Sequence, residues 1–297
     1  MNSSTTSTNE ILMEIAPRLV SVGGPQVHRL MPYKSKRMVG PFIFFDYFPA
    51  TDFAIDTGMN VRPHPHIGLS TLSYLLEGQV LHADSEGNHQ LLNPGDVNWM
   101  TAGGGISHSE RTPLEAMKAA HRLHLMQFWL ALPLENEDRA PSFTHHPKST
   151  IPQFKVGAAD VILIAGSAMG RKSPVEVFSP LFFMDVKLKN GESFEFTPEP
   201  GHELAFYIVR GQLQLNNRLI PPDDFVVLQQ DSALKVNAAA DDTHFVVLGG
   251  EPFKEERFIY WNFVSSSRGK IEDAKHAWRD GSFPQVPGET DIVPLPE

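Results

Sequence analysis

The sequence predicts an all-β chain of two barrels in tandem, followed by one short helix near the C-terminus. Short apolar segments alternate with turn residues along most of the 297 residues, and 24 prolines and 22 glycines supply those turns. The two halves also share a pattern, because residues 74–79 (YLLEGQ) resemble residues 207–212 (YIVRGQ) and each segment precedes a proline-marked turn. Two copies of one barrel explain this parallel most simply.

The first barrel is predicted over residues 11–135, where apolar segments are spaced evenly between glycine and proline turns. Its clearest predicted strands are residues 42–45, 71–76, 97–101 and 123–132. The last of these is mostly apolar, with His124 and Gln127 as exceptions, and we expect both of its faces to be buried. The turns between them are predicted at residues 77–78, 86–87 and 93–96.

Residues 136–153 are rich in proline and polar side chains, and we expect a surface linker there. A second barrel is predicted over residues 154–265. Its clearest predicted strands are residues 181–186, 204–209, 225–228 and 245–248. In residues 266–297, helix-forming residues at 272–279 precede Gly281 and predict the one helix. The remaining tail is too rich in proline for regular structure.

The composition excludes several classes of site and partner. The chain has no cysteine, so disulfides, iron–sulfur clusters, thiolate zinc sites and a cysteine nucleophile are all excluded. A net charge of −10 argues against direct nucleic-acid binding, and no apolar run reaches the roughly 18 residues that a membrane span needs. The first ten residues lack the features of a signal peptide, and we expect a frayed tail. We therefore expect a cytoplasmic location, and as a separate expectation a monomer.

Two short segments predict a metal centre in the first barrel. His64 and His66 are separated by one residue, so on a strand their imidazoles project from the same face. His108 and Glu110 repeat this spacing with one imidazole and one carboxylate. If the two segments lie on neighbouring strands, four ligands converge and leave two positions of a six-coordinate ion open. A His-x-His pair alone is often incidental, and the prediction depends on the two segments occurring together.

His145 and His146 lie in the predicted linker and are expected to be solvated. The remaining histidines of the first barrel are expected to be structural, although one of them could hydrogen-bond a ligand: His82, His89, His121 and His124. His202 in the second half has no matching His-x-His, and we therefore expect the second barrel to lack a metal.

Residues 62–78 and 93–110 closely resemble the pirin family of the cupin superfamily, and residues 261–268 are similar to that family's C-terminal signature. The resemblance implies two antiparallel jelly-roll barrels, with Fe²⁺ held in the first by His64, His66, His108 and Glu110. Mn, Ni, Cu, Co or Zn are alternative ions for a site of nitrogen and oxygen ligands. Ser70 stands where some pirins carry an acid, a difference that bears on substrate preference and not on metal binding.

The resemblance implies two functions that the sequence leaves open. The first is a dioxygenase of quercetin 2,3-dioxygenase type, in which a flavonol-like aromatic substrate is opened with release of carbon monoxide and Glu110 acts as ligand or general base. Several aromatic residues could line its pocket, although we interpret most of them as core: Phe42, Phe44, Phe45, Phe48 and Trp99. The alternative is a non-enzymatic, redox-dependent regulator that binds a transcription factor or a metabolic enzyme.

A third hypothesis is a cupin that isomerises or decarboxylates a small polar acid. Such a substrate requires basic side chains beside the metal, and only Arg62 and Arg122 are candidates for that role. We rank this hypothesis last, because Arg62 is equally well explained as a charge at the end of a strand.

Overall fold

The computed structural model describes residues 8–297, so most of the predicted N-terminal tail, residues 1–7, lies outside the described residues. Within this range the chain forms 25 strands, two α-helices and two short 3₁₀ helices. The strands up to the middle of the chain are β1 (Ile11–Ile15), β2 (Arg18–Ser21), β3 (Gln26–Met31), β4 (Phe42–Phe53), β5 (Asn60–His66), β6 (Leu69–Glu77), β7 (Val80–Asp84), β8 (His89–Leu92), β9 (Val97–Thr101), β10 (Ile106–Arg111), β11 (His121–Ala131) and β12 (Ser142–His146).

The second half of the chain is also built mainly from strands. They are β13 (Gln153–Val156), β14 (Ala159–Ala168), β15 (Arg171–Lys172), β16 (Leu181–Leu188), β17 (Ser193–Phe196), β18 (Glu203–Arg210), β19 (Leu213–Leu215), β20 (Arg218–Ile220), β21 (Phe225–Leu228), β22 (Leu234–Ala238), β23 (Thr243–Gly250), β24 (Phe258–Tyr260) and β25 (Phe263–Ser265). The helices are α1 (Leu114–Met117) and α2 (Arg268–Asp280), and the 3₁₀ helices are Leu134–Asn136 and Lys148–Thr150.

The first barrel is one of two compact units, and it comprises Arg18–Met31, Ile43–Lys148 and Lys254–Glu297. A seven-stranded sheet in the order β12-β9-β6-β11-β4-β3-β2 packs with a four-stranded sheet in the order β5-β10-β7-β8. Phe48, Leu75 and Leu125 lie in the core of this unit. The prediction that residues 123–132 are buried on both faces is confirmed, because every one of them is buried.

The second barrel comprises residues 8–17, Pro32–Phe42 and Ser149–Phe253. Its larger sheet runs β1-β21-β18-β23-β16-β14-β13 with β15 on β14, and its smaller sheet runs β17-β22-β19-β20. Alternate residues of these strands, among them Phe182, Phe206 and Phe245, fill its core. The all-β prediction of two cupin barrels with a short C-terminal helix is therefore confirmed.

Neither unit is a continuous stretch of sequence, in contrast to the domains expected. Strand β1 pairs with β21 of the second barrel and not with the first barrel, to which residues 11–15 were expected to belong. Asn9 is 5% exposed, and it exchanges hydrogen bonds with Lys235, from Nδ2 to the carbonyl at 2.6 Å and from the amide to Oδ1 at 2.7 Å. The expectation of a frayed tail is wrong for residues 8–10, because these bonds hold Asn9 and the Glu10 carbonyl accepts from the Gln229 amide at 2.7 Å.

The predicted linker also contains regular structure. Residues 142–146 form β12, which pairs with β9 along its whole length. His145 is half-buried, and its Nδ1 lies 2.7 Å from Asn98 Oδ1, so the expectation that it is solvated is wrong. Residues 142–146 form a strand because β9 would otherwise be an edge strand, with backbone groups unpaired on the side that β12 covers.

The predicted C-terminal helix is confirmed and begins earlier than residue 272, at Arg268. Ile271, Ala274 and Trp278 are its buried residues, and they pack with Phe263 of β25 and with Phe283. The helix ends at Gly281, whose φ of +79° permits the left-handed turn that closes it. Among residues 8–297, no helix is both long and apolar enough to cross a bilayer.

The C-terminal tail after α2 has no regular structure, as expected, but it is fixed to the first barrel. Trp278 Nε1 donates to the Val293 carbonyl at 2.9 Å, and the Val293 amide donates to the Pro63 carbonyl of β5 at 2.9 Å. Ser107 Oγ of β10 donates to the Pro284 carbonyl at 2.6 Å. The tail therefore contacts both strands that carry the predicted ligands.

Candidate metal centre

Strands β5 and β10 place three of the predicted ligands on one face of the four-stranded sheet. The two strands run antiparallel, with His108 directly opposite His64 and Ile106 opposite His66. Residues two apart on a strand share a face, so His64 and His66 both project towards His108. Pro63 and Pro65 lack an amide proton, and they are tolerated because β5 is the edge strand of this sheet.

His64, His66 and His108 form a buried group, with exposed fractions of 8%, 0% and 1%. One ring nitrogen of each histidine lies within 4.8 Å of the corresponding nitrogens of the other two. The Nε2 atoms of His66 and His108 are only 3.1 Å apart. The chain therefore has a buried three-histidine group of the kind that binds a metal ion.

The hydrogen bonds around the rings suit a metal ion. His64 Nδ1 lies 2.9 Å from the Arg62 carbonyl oxygen, and His66 Nδ1 lies 3.3 Å from the Asn262 carbonyl oxygen. A carbonyl only accepts, so each Nδ1 carries the proton and each Nε2 presents a lone pair. An unprotonated Nε2 is the form of the ring that can bind a metal ion. Metal-ligating histidines in proteins are held by outer hydrogen bonds of this type.

The electrostatics of the site also favour neutral imidazoles. Burial, reinforced by the charge of His82, lowers the pKa of His64 to about 4. Burial and the neighbouring histidines place the pKa values of His66 and His108 well below their usual range. At neutral pH all three rings are therefore unprotonated at one nitrogen, as a metal ligand must be.

Glu110, the fourth predicted ligand, is not part of the three-histidine group. The ladder between β5 and β10 shifts register between His108 and Glu110, so that Glu110 lies opposite Val61. Its Oε1 lies 3.1 Å from Ser73 Oγ, a hydroxyl that is also 2.7 Å from Gln127 Oε1. Burial raises the pKa of Glu110 above its ordinary value. Its role as a ligand stays a prediction.

The other residues considered from the sequence lie in different surroundings. Arg62 pairs with Asp291 at the surface, and Arg122 is an exposed neighbour of Asp52 and Glu77. Ser70 is buried, with its Oγ 3.1 Å from Thr101 Oγ1.

The aromatic residue in contact with the histidines is Trp129, which the sequence did not single out. Its ring lies edge-on to the ring of His66, with the ring centroids 5.1 Å apart, and it stacks on the ring of Phe44 at a centroid distance of 3.9 Å. Of the predicted pocket residues, Phe45 stacks on Phe128 and is fully buried, as expected for the core. Phe44 is thus separated from the histidines by the indole of Trp129.

His82 of β7 is one of the histidines that the sequence left as a possible partner of a ligand, and it pairs with Asp84, which the sequence did not single out. His82 Nδ1 lies 3.4 Å from His108 Nδ1, and His82 Nε2 lies 2.9 Å from Asp84 Oδ2. The ring of His82 stacks on Phe143 at a centroid distance of 4.3 Å. The sequence could have indicated this pair through the alternation of His82 and Asp84 on one strand, but not their partner.

A cleft of about 530 Å³ lies near these residues but is separate from the histidines. It is lined by Ile67 and Gly68, which follow His66, by the glycine loop at residues 103–105, by residues 137–141 and by Phe283. None of His64, His66 and His108 lines it, so we do not assign it to the metal centre.

Two family models match successive parts of this chain. The family model described as pirin matches residues 24–130, and the model described as the pirin C-terminal cupin domain matches residues 183–284. The chain is 41% identical over 286 residues to a pirin-like protein of Caulobacter vibrioides, covering 94% of this chain and 97% of that one.

Two further similarities concern proteins named for one activity. The chain is 35% identical over 275 residues to a protein of Pseudomonas aeruginosa provisionally named a quercetin 2,3-dioxygenase, covering 91% of this chain and 84% of that one. The crystal structure of quercetin 2,3-dioxygenase from Acinetobacter baumannii superposes with a TM-score of 0.90 at 29% identity, covering 97% of this chain and 95% of that one.

Proposed function

Because the chain belongs to the pirin family, we propose that it is a metal-dependent dioxygenase of quercetin 2,3-dioxygenase type that acts on flavonol-like aromatic substrates. The observation that carries the proposal is the buried group of His64, His66 and His108, with ring nitrogens within 4.8 Å of one another. The names of the relatives from Pseudomonas aeruginosa and Acinetobacter baumannii support the same activity. We further propose Fe²⁺ as the ion, a monomeric state and a cytoplasmic location.

The three histidines would hold the ion through Nε2, with Glu110 as the proposed fourth ligand. When bound, such an ion supplies Lewis acidity and exchanges electrons with dioxygen. The carbonyl oxygens of Arg62 and Asn262 hold the rings of His64 and His66 in the orientation that the ion requires. The apolar pair of Trp129 and Phe44 keeps water away from one side of His66.

Glu110 is the residue we propose to handle the proton. Its carboxylate would accept the proton of the flavonol's hydroxyl, which makes the ring electron-rich enough to react with dioxygen. A raised pKa, caused by burial, suits that role because the carboxylate then binds the proton more readily. The hydroxyl of Ser73, 3.1 Å away, orients the carboxylate. Both oxygen atoms enter the opened product, and one ring carbon leaves as carbon monoxide.

The proposal is tested first by elemental analysis of protein purified without added metal. We expect about one equivalent of iron, and its loss in His64→Ala. The protein is then loaded separately with Fe, Mn, Ni, Co and Cu and incubated with quercetin in air. Ring opening is followed by loss of quercetin absorbance and by release of carbon monoxide. Glu110→Gln is expected to lose about 100-fold or more in turnover, as for other removed general bases.

The matched control is His244→Phe in the second barrel. His244 is 2% exposed and its Nε2 lies 2.7 Å from Asp185 Oδ1, so this variant removes a buried histidine outside the three-histidine group. We expect its metal content and turnover to equal those of the wild type. A protein that binds one equivalent of metal but opens no flavonol with any of the five metals would contradict the dioxygenase assignment.

A further inference from the structure

His82 and Asp84 of β7 lie beside the histidine group on the same face of the sheet. Strand β7 pairs with β10 so that Asp84 is opposite His108 and His82 is opposite Glu110. Both side chains are buried, with exposed fractions of 3% for His82 and 0% for Asp84. The mechanism proposed above uses neither of them.

The hydrogen bonds of Asp84 determine where the protons lie. Besides His82, its carboxylate accepts from the amides of Glu86 and Asn88 at 3.0 Å and from the Asn88 side chain at 2.9 Å. Burial raises the pKa of Asp84, but the hydrogen bonds from His82 and Asn88 together outweigh it and leave the pKa lowered. Asp84 is therefore an anion, and His82 donates to it through Nε2–H.

A neutral His82 that donates through Nε2 has an unprotonated Nδ1. That atom lies 3.4 Å from Nδ1 of His108, and a hydrogen bond between the two requires a proton on the His108 nitrogen. His108 then presents an unprotonated Nε2 at the point where it faces Nε2 of His66, 3.1 Å away. In this arrangement His108 donates through Nδ1–H to Nδ1 of His82, and His82 donates through Nε2–H to Asp84. Each of the two hydrogen bonds therefore has one donor and one acceptor.

We propose that His82 and Asp84 are positioning residues for the metal centre, because they fix the tautomer and ring orientation of His108 and make its Nε2 a stronger donor. This inference rests on the metal centre of the proposed function. His64 and His66 are held by backbone carbonyls, so among the three histidines His108 is the one held by a side chain that substitution can remove. Outer partners of metal-ligating histidines typically contribute about 10-fold to 100-fold in metal affinity.

The stacking of His82 on Phe143 provides a selective variant. The two rings are 4.3 Å apart and inclined by 17°, so His82→Phe retains an aromatic ring in the same stack while it removes both nitrogens. Asp84 Oδ2 keeps its hydrogen bond from the Asn88 side chain in this variant. His82→Gln restores a hydrogen-bond acceptor, and His244→Phe is the control for loss of a buried histidine elsewhere.

The experiment is a titration of the full-length apoprotein variants with Co²⁺, followed by visible absorption. We expect His82→Phe to bind Co²⁺ about 10-fold to 100-fold more weakly with an altered spectrum. We expect His82→Gln to recover part of this loss and His244→Phe to match the wild type. A folded His82→Phe with the wild-type Kd and spectrum would overturn the proposal.

Two further outcomes keep the test decisive. If His82→Phe fails to fold, ¹⁵N NMR of the Zn²⁺-loaded wild type is the readout. We expect a proton on Nδ1 of His108 and on Nε2 of His82, and the opposite tautomer at either ring overturns the proposal. If the wild-type protein itself binds no Co²⁺, the metal centre and this inference both fail, whereas an unaffected variant refutes the positioning role alone.

Discussion

Arg257→Met is expected to destabilise the first barrel strongly, because it would remove the buried cation that pairs with the buried carboxylate of Glu137. The remaining cation, Lys270, is 40% exposed and its Nζ lies 3.8 Å from Glu137 Oε2. Arg257 Nε lies 3.1 Å from Glu137 Oε1, and the two side chains are only 1% and 2% exposed. Arg257 also donates through Nη2 to the carbonyl of Leu132, at the end of β11, at 2.9 Å. Methionine can replace the aliphatic part of the arginine but neither of these polar contacts.

Removing one partner of a buried ion pair typically costs about 3–5 kcal/mol, because the other charge stays buried. Glu137 keeps hydrogen bonds from the Ser266 amide and the Ser266 hydroxyl, both at 2.8 Å, which limits the loss. The Leu132 carbonyl loses its donor, which adds about 1–3 kcal/mol. We therefore expect a loss of about 3–5 kcal/mol in the free energy of unfolding, and a fall in Tm of about 6–20 °C for a unit of this size.

The assay is urea denaturation followed by near-ultraviolet circular dichroism. Arg257→Met combined with Glu137→Met should recover part of the stability, because no unpaired charge then remains. Arg210→Met is the matched control, since Arg210 pairs with Asp242 at 2.7 Å with both side chains about half exposed or more. Such surface pairs contribute at most about 1 kcal/mol. A loss in Arg257→Met no greater than that of the control would refute the reasoning.

Three further predictions concern the glycine after the ligands, the tail and the metal. At Gly68, where φ is +67°, a Cβ would lie 2.0 Å from the Val264 carbonyl oxygen. Gly68→Ala should therefore lower the free energy of unfolding, measured by urea denaturation, by more than about 2 kcal/mol. Gly87 has a similar φ but open space around it, and Gly87→Ala should cost about 1 kcal/mol. Burial raises the pKa of Glu289, but Arg111 and a serine outweigh it and lower the pKa. The stabilisation that ionised Glu289 gives the tail is thus complete above the unfolded pKa of about 4.3, and it is lost as the pH falls through the lower pKa of the folded state. Hydrogen exchange of the tail amides should therefore become faster only in acid. Equal protection of these amides at all pH values would contradict this. Metal at 100 times its Kd should stabilise the wild type by about 2.7 kcal/mol and His64→Ala not at all, as measured by thermal shift.

The features that the sequence predicted best depend on the alternation of neighbouring side chains between the two faces of a strand. Residues 97–101 form β9 as predicted, and the shared YxxxGQ pattern falls at the ends of β6 and β18 in the two barrels. His64 and His66 share a face because they are two residues apart on one strand, and the sequence shows that spacing directly. In the structure they converge with His108.

The features that the sequence did not predict depend on contacts between distant segments. Which sheet edge β1 or β12 would cover is decided by the ends of the finished sheets, not by the residues of those strands. The offset of Glu110 follows from a register shift between β5 and β10, and period-two reasoning assumes an unbroken ladder. The relation of His82 to His108 likewise exists only once β7 and β10 are paired.

The attachment of the C-terminal tail to β5 and β10 has a consequence for biosynthesis. The segment Lys254–Glu297 belongs to the same compact unit as the histidines, although it follows the second barrel in the sequence. A nascent polypeptide that ends before Val293 lacks the hydrogen bond to Pro63, next to His64. The first barrel is therefore completed only after the segments of the second barrel have been synthesised.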